Sequence, residues 1–144
     1  MNFIIATATD TGTTKSTNQD SFNARVVSTP LGKMAFAVLC DGMGGLSKGE
    51  VASASLVNAF CKWAENKLPI LCENGFTDSD IQSDWVEIAT EYNEKIKTYG
   101  KKCGLPSGLG TTVTALLLTE SRYYIINVGD TRAYEITDSV TVLT

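Results

Sequence analysis

The chain has 144 residues, with 16 acidic and 12 basic side chains, four cysteines and no histidine. That length fits one domain, and the missing histidine excludes a Ser-His-Asp triad, a Cys-His pair or an imidazole metal site built from this chain alone. Any metal would be held mainly by oxygen, which suits Mg²⁺ or Mn²⁺, and acid-base work would fall to carboxylates, Lys, Tyr, Cys or metal-bound water. With 43% hydrophobic and 19% charged residues, the composition predicts a packed core rather than disorder. A net charge of -4 offers no basic excess for a nucleic-acid surface. Cys40, Cys61, Cys72 and Cys103 have no CxxC spacing and read as reduced, mostly buried thiols of a cytoplasmic protein. The run Phe3-Ile4-Ile5-Ala6 is too short for a signal-peptide core, and no stretch approaches the length of a membrane span.

In chain order, residues 2–9 read as a strand and 10–20 as a polar loop. Phe22, Ala24 and Val26 alternate within a strand over 21–28, and Thr29-Pro30-Leu31-Gly32 is a turn. Met34 to Cys40 is a nearly unbroken apolar run that predicts a strand buried on both faces, ending at Asp41-Gly42. A helix follows from about Lys48 to Lys67, with Ala52, Leu56, Phe60 and Trp63 on one face, and then a loop over 68–77. A second helix starts near Asp78 or Ser79 and stops at Gly100, with the stripe Ile81, Trp85, Ile88, Tyr92, Ile96, Tyr99 as its core face. A glycine-rich loop over 101–110 leads to strands at Thr111 to Thr119, Tyr123 to Val128 and Arg132 to Ile136, with Val140 to Leu143 as the start of another. The order β-β-β-α-α-β-β-β predicts an α+β fold, with helices layered on largely antiparallel sheets.

Four acidic residues stand where chemistry could be done, and each also has a purely structural explanation. Asp41 ends a buried strand, and Gly42 lets its own carbonyl face the same point as the carboxylate, a ligand pair that hard cations accept; Asp-Gly is also a common turn pair. Asp20 closes the first loop and could meet Asp41 across two strand ends; an Asx turn explains it too. Asp10 ends the first predicted strand, and Asp130 sits in the Gly129-Asp130 pair of a tight hairpin. The glycines after Asp41 fit neither a Walker A loop nor Gly-x-Gly-x-x-Gly, because Lys48 precedes Gly49 and position 47 is Ser47.

Taken together, four segments resemble one family. Thr9-Asp10-x-Gly12-x-x-Lys15-x-x-Asn18-Gln19-Asp20-Ser21-Phe22 resembles the first signature of the metal-dependent PPM/PP2C serine/threonine phosphatases. Asp41-Gly42-Met43-Gly44-Gly45 through Gly49-Glu50-x-Ala52-Ser53 is similar to the second, in its bacterial form. Gly110-Thr111-Thr112 resembles the family's Gly-Thr-Thr strand start, and Asn127-Val128-Gly129-Asp130-Thr131-Arg132 its Asn-x-Gly-Asp-Ser-Arg hairpin. The resemblance implies a four-layer α-β-β-α sandwich, two antiparallel sheets flanked by helix pairs. It implies a binuclear Mn²⁺/Mg²⁺ site with Asp20 and Asp41 as carboxylate ligands, Asp41 bridging, the Gly42 carbonyl on one metal and Asp130 on a third, weaker one. Lys15 would bind phosphate where the family usually has Arg, and Asp10 and Gln19 would be supporting residues. The implied reaction is hydrolysis of phosphoserine or phosphothreonine by water activated between the metals, which needs no histidine base.

The chain stops before the family's later Asp-Gly and Asp-Asn motifs could occur. The expectation is therefore a single incomplete domain over residues 1–144, with the C-terminal strands missing. A phosphoprotein substrate and a cognate Ser/Thr kinase are the implied partners, without nucleic acid or membrane. Open sheet edges would favour self-association. The chain alone is expected to turn over weakly or not at all. The alternative is a non-catalytic, pseudophosphatase-like binding module.

Overall fold

The structure, a computed structural model, describes residues 2–13, 16–44, 48–105 and 108–144. Strands β1 (Asp20–Thr29) and β2 (Gly32–Gly44) form a long antiparallel hairpin. Helix α1 (Gly49–Lys62), a π-helical turn (Trp63–Lys67) and α2 (Leu68–Asn74) run on without a break, and α3 (Asp78–Lys102) follows. Strands β3 (Leu109–Thr111), β4 (Val113–Leu118), β5 (Tyr123–Val128), β6 (Tyr134–Ile136) and β7 (Val140–Val142) complete the chain. The main sheet is antiparallel in the order β1-β2-β4-β5, with β3 paired to the far end of β2; β6 and β7 form a separate two-stranded sheet. The α+β class expected from the pattern stands.

Period-2 alternation decides what each face of the sheet meets. Met34, Phe36, Val38 and Cys40 of β2, with Val113, Ala115 and Leu117 of β4, point into the core beneath the helices. Trp85 sits at its centre, 5.3 Å from Trp63, 6.0 Å from Phe60 and 6.5 Å from Phe36 by ring centroids, at the inclined angles that aromatic quadrupoles favour. The alternate residues line up across the opposite face as Ala24-Ala37-Leu116-Ile125 and Val26-Ala35-Leu118-Tyr123, and Val26 and Tyr123 are exposed. That face is apolar and none of the helices covers it, so β2 is buried on one face and not on both as its apolar run predicts; Leu39 is exposed.

Five further expectations are corrected. Residues 2–9 form no strand: a strand exists only through its pairing, and this segment pairs with no strand of the sheets, leaving Ile4 fully exposed. Residues 68–74 are helix, not loop. The π turn relaxes the bonding register just before Pro69, which has no N–H to offer and falls in the first turn of α2, where none is needed. The run from Thr111 to Thr119 is two strands broken at Thr112, and the strand expected from Arg132 begins only at Tyr134. On α3, Ile81, Trp85 and Ile96 are buried as expected, but Tyr99 is exposed and the buried acid Asp84 joins the inner face. Asp84 accepts a hydrogen bond from Trp63 Nε1 at 2.8 Å and pairs with Lys67, so its charge is not stranded. The start of α3 is set by a capping box, in which Thr77 N donates to Asp80 Oδ2 at 2.6 Å and the Thr77 side chain caps the Asp80 backbone.

Candidate functional site

The β1–β2 register makes Asp20 and Asp41 direct cross-strand partners. Two carboxylates so placed repel each other unless a cation lies between them. Both line a cleft of about 280 Å³ together with Asp10, Thr11, Gly12, Thr13, Asn18 and Gln19. The loop is folded onto this cleft by its own side chains. Asp20 N donates to Asn18 Oδ1 at 3.0 Å, Asn18 Nδ2 to Thr9 Oγ1 at 2.7 Å, and Gly12 N to Asp10 Oδ1 at 2.6 Å.

Gly42 explains the local backbone. A Cβ placed there would lie 2.3 Å from the Gly49 carbonyl oxygen and 2.4 Å from that of Gln19. Only glycine lets the end of β2 pass between the first loop and the start of α1. Gly42 N donates to Gln19 O at 3.1 Å, and the same oxygen accepts from Ser53 Oγ at 2.6 Å. Ser53 Oγ also lies 2.9 Å from Ser21 Oγ. Gln19 therefore supports the site through its main-chain carbonyl, while its side chain rests against Gly49.

Asp41 is tied to the next strand by a two-way exchange: Asp41 N donates to Thr112 Oγ1 and Thr112 N to Asp41 O, each at 2.9 Å. Thr111 Oγ1 donates to Asp41 O at 3.0 Å. Beyond Thr112, the turn after β5 is held by Asn127 Nδ2, which donates to Thr114 Oγ1 and Thr131 O at 2.8 Å each. Gly129 has φ +115°, and a Cβ there would meet Thr112 Cγ2 at 2.6 Å. Asp130 is thus at the same end of the sheet as Asp41, on an exposed turn braced against Thr112, but it does not line the cleft.

Among the sequence candidates, Asp10, Gln19, Asp20 and Asp41 come together around one cleft, Gly42 abuts it, and Asp130 stands beside it. Lys15 and Gly45 lie outside the described residues. Ser53, Thr112 and Asn127 were not read as functional from sequence. The sequence signal at Ser53 is a hydroxyl on the apolar face of α1, one turn before Leu56 and Val57.

The donor set suits a hard cation: carboxylates from Asp20 and Asp41 and the Gly42 carbonyl, at a backbone cradle that any side chain would fill. It is a partial set. Among the described residues, no group of three or more His, Cys, Asp and Glu is placed to hold a metal. The thiol of Cys40, next to Asp41, is pushed up to about 12 by burial and is neither a nucleophile nor a thiolate ligand at neutral pH.

Comparison with known proteins agrees with this fold. Residues 10–143 match the family model described as Protein phosphatase 2C. The serine/threonine phosphatase stp of Listeria innocua is 30% identical over 109 residues, covering 75% of this chain and 41% of the relative. The crystal structure of the S. agalactiae serine/threonine phosphatase superposes with a TM-score of 0.76 at 28% identity, covering 95% of this chain and 53% of that one. The catalytic domain of the phosphatase PstP, solved in complex with two manganese ions, superposes with a TM-score of 0.69 at 27% identity, covering 92% of this chain and 51% of that one. The chain spans about half the length of these solved relatives.

Proposed function

The chain belongs to the protein phosphatase 2C family, and on that premise we propose that it acts in metal-dependent hydrolysis of phosphoserine and phosphothreonine in proteins. The observation that carries the reading is the cross-strand pairing of Asp20 with Asp41, both lining one cleft. Asp20, Asp41 and the Gly42 carbonyl would hold Mn²⁺ or Mg²⁺, and Asp130 would serve as a further, weaker ligand. When bound, such ions polarise a phosphoryl oxygen and lower the pKa of water, which removes the need for a histidine base. The chain's own residues do the rest. Thr112, Thr111 and Gln19 fix the backbone of Asp41 and Gly42, Asn18 fixes that of Asp20, and Asp10 shapes the loop. Lys15, by its place in the first motif, would meet the phosphate as a single point charge, with a looser grip than an arginine fork.

The partial donor set supports a second reading for this chain by itself: a non-catalytic module that holds a metal or phosphoprotein weakly. The two separate in a Mn²⁺-dependent assay on a phosphothreonine peptide, run beside a full-length relative. The expected outcome is little or no turnover by the 144-residue chain, with Mn²⁺ binding that Asp41→Asn removes. Robust turnover abolished by Asp41→Asn overturns the weak-activity reading. Absence of Mn²⁺ binding at millimolar concentration overturns the metal assignment.

The family chemistry implies a Ser/Thr kinase as the opposing enzyme and a cytoplasmic setting; among the described residues, no helix is long and apolar enough to cross a membrane. Self-association is proposed through the open outer edges of β1 and β5 and the apolar face between them.

A further inference from the structure

Of the four cysteines, Cys40, Cys61 and Cys72 are buried, and Cys103 alone is partly exposed. Cys103 caps the C-terminus of α3, where its N–H donates to the carbonyls of Tyr99 and Gly100. A lysine from a distant part of the chain reaches it: Lys48 Nζ lies 3.2 Å from Cys103 Sγ and 5.4 Å from the centroid of the Tyr99 ring. Lys48 precedes α1 and is the one non-glycine residue with positive φ among the described residues, at +84°. A strained backbone delivers this ammonium to the thiol, 55 positions away in sequence.

We propose that Cys103 is a reactive thiol and a modification site for soft electrophiles, specifically hydroperoxides, with Lys48 as the residue that activates it. The thiolate is the nucleophile, and a cation in hydrogen-bond contact with a partly exposed sulfur is the setting that stabilises it. Among the described residues, the groups facing the sulfur are Lys48 from the start of α1 and Tyr99 from α3. The negative end of the α3 dipole opposes the thiolate. The hydrogen bond from Lys48 outweighs the partial burial and holds the thiol below its ordinary range, with a smaller contribution from Tyr99. Burial instead pushes the other three thiols up.

The step balances. Sγ attacks the terminal oxygen of the hydroperoxide, an S–O bond forms and the O–O bond breaks. Sulfur loses two electrons to the peroxide, which leaves as alkoxide or hydroxide beside the Lys48 ammonium. The product is a sulfenic acid, and an added thiol returns it to Cys103 through a mixed disulfide. The inference is independent of the phosphatase reading, because neither Lys48 nor Cys103 belongs to the proposed metal set.

The test measures iodoacetamide alkylation of each cysteine by peptide mass mapping across pH 5.5–9.5, and dimedone trapping after hydrogen peroxide. Cys103 is expected to react first, with a rate midpoint below that of a free cysteine peptide, and to carry the dimedone adduct. Lys48→Met should raise the midpoint and slow alkylation at pH 7 about threefold, the modest factor expected because thiolate fraction and nucleophilicity move in opposite directions. Lys48→Arg should keep the low midpoint, and Cys103→Ser should remove the fast phase. A midpoint for Cys103 equal to the peptide's, a profile unchanged in Lys48→Met, or no adduct at Cys103 overturns the proposal.

Discussion

Asp20 and Asp41 face each other across the β1–β2 ladder, and Gly42, the next residue, passes so close to Gly49 that no side chain fits between them. The carboxylate pair and the start of α1 are therefore one rigid unit. Gly42→Ala should destabilise the fold by about 3 kcal/mol, the upper end for overpacking, because both obstructing atoms are backbone carbonyl oxygens that cannot rotate away. Urea unfolding followed by circular dichroism checks this; a loss below about 1 kcal/mol would mean that the strand end can shift, and that the site is softer than this geometry.

Thr112 should matter more to the site than its ordinary chemistry suggests. Thr112→Val keeps the volume but leaves the Asp41 N–H without its side-chain acceptor, at a cost of about 1–3 kcal/mol. Thr112→Ser retains the hydroxyl and should keep most of the stability. A larger loss in Thr112→Ser than in Thr112→Val would assign the effect to the methyl group's packing against Gly129.

Gly129 links the hairpin of Asp130 to the same threonine. Gly129→Ala combines a φ of +115° with a Cβ 2.6 Å from Thr112 Cγ2, so strain and overlap act together. The expected loss is about 2–4 kcal/mol, together with broadened NMR signals at Asp41 and Thr112. Asp130→Asn, on the exposed turn, should leave stability within about 0.5 kcal/mol.

The acid end of the stability curve should report the α3 capping box. The hydrogen bond from the Thr77 backbone lowers the Asp80 carboxyl below its ordinary value, with the Thr77 side chain adding to it. A group depressed in the folded state contributes above its unfolded pKa, and that contribution is lost as pH falls through the folded value. Asp80→Ala should thus be less stable than the parent chain at pH 7, and the gap should close below the carboxylate range. A gap independent of pH would assign the loss to helix packing instead.

Self-association should depend on concentration and on the uncovered sheet face. Sedimentation at rising concentration is expected to show dimers, and Ile125→Lys, which puts a charge on the edge strand β5, should shift them to monomer. A clean monomer at all concentrations would sink this expectation.

Local patterns were enough to find most elements here, because they depend only on neighbours. Alternation placed β1, an unbroken apolar run placed β2, the 3.6-residue stripe placed α3, and four short motifs in order singled out Asp20, Asp41 and Asp130 as candidates. Where a segment's state depends on a distant partner, the patterns failed. Residues 2–9 have strand composition but pair with nothing described, and 68–74 are helix because a π turn takes up the cost of Pro69. Asp84, polar by type, is buried because Trp63 and Lys67 reach it.

The sequence by itself determined the family and the α+β class and named the acidic candidates for the site, since motif order and hydrophobic period are one-dimensional properties. Tertiary structure fixed the cross-strand register of Asp20 and Asp41, which the sequence only suggested, and it alone decided that Ser53 holds the Gln19 carbonyl, that Thr112 anchors the Asp41 backbone, and that Lys48 meets Cys103. Each of those pairings joins residues separated by 21 to 71 positions. Their distances follow from strand register and helix packing, which are collective properties of the folded core.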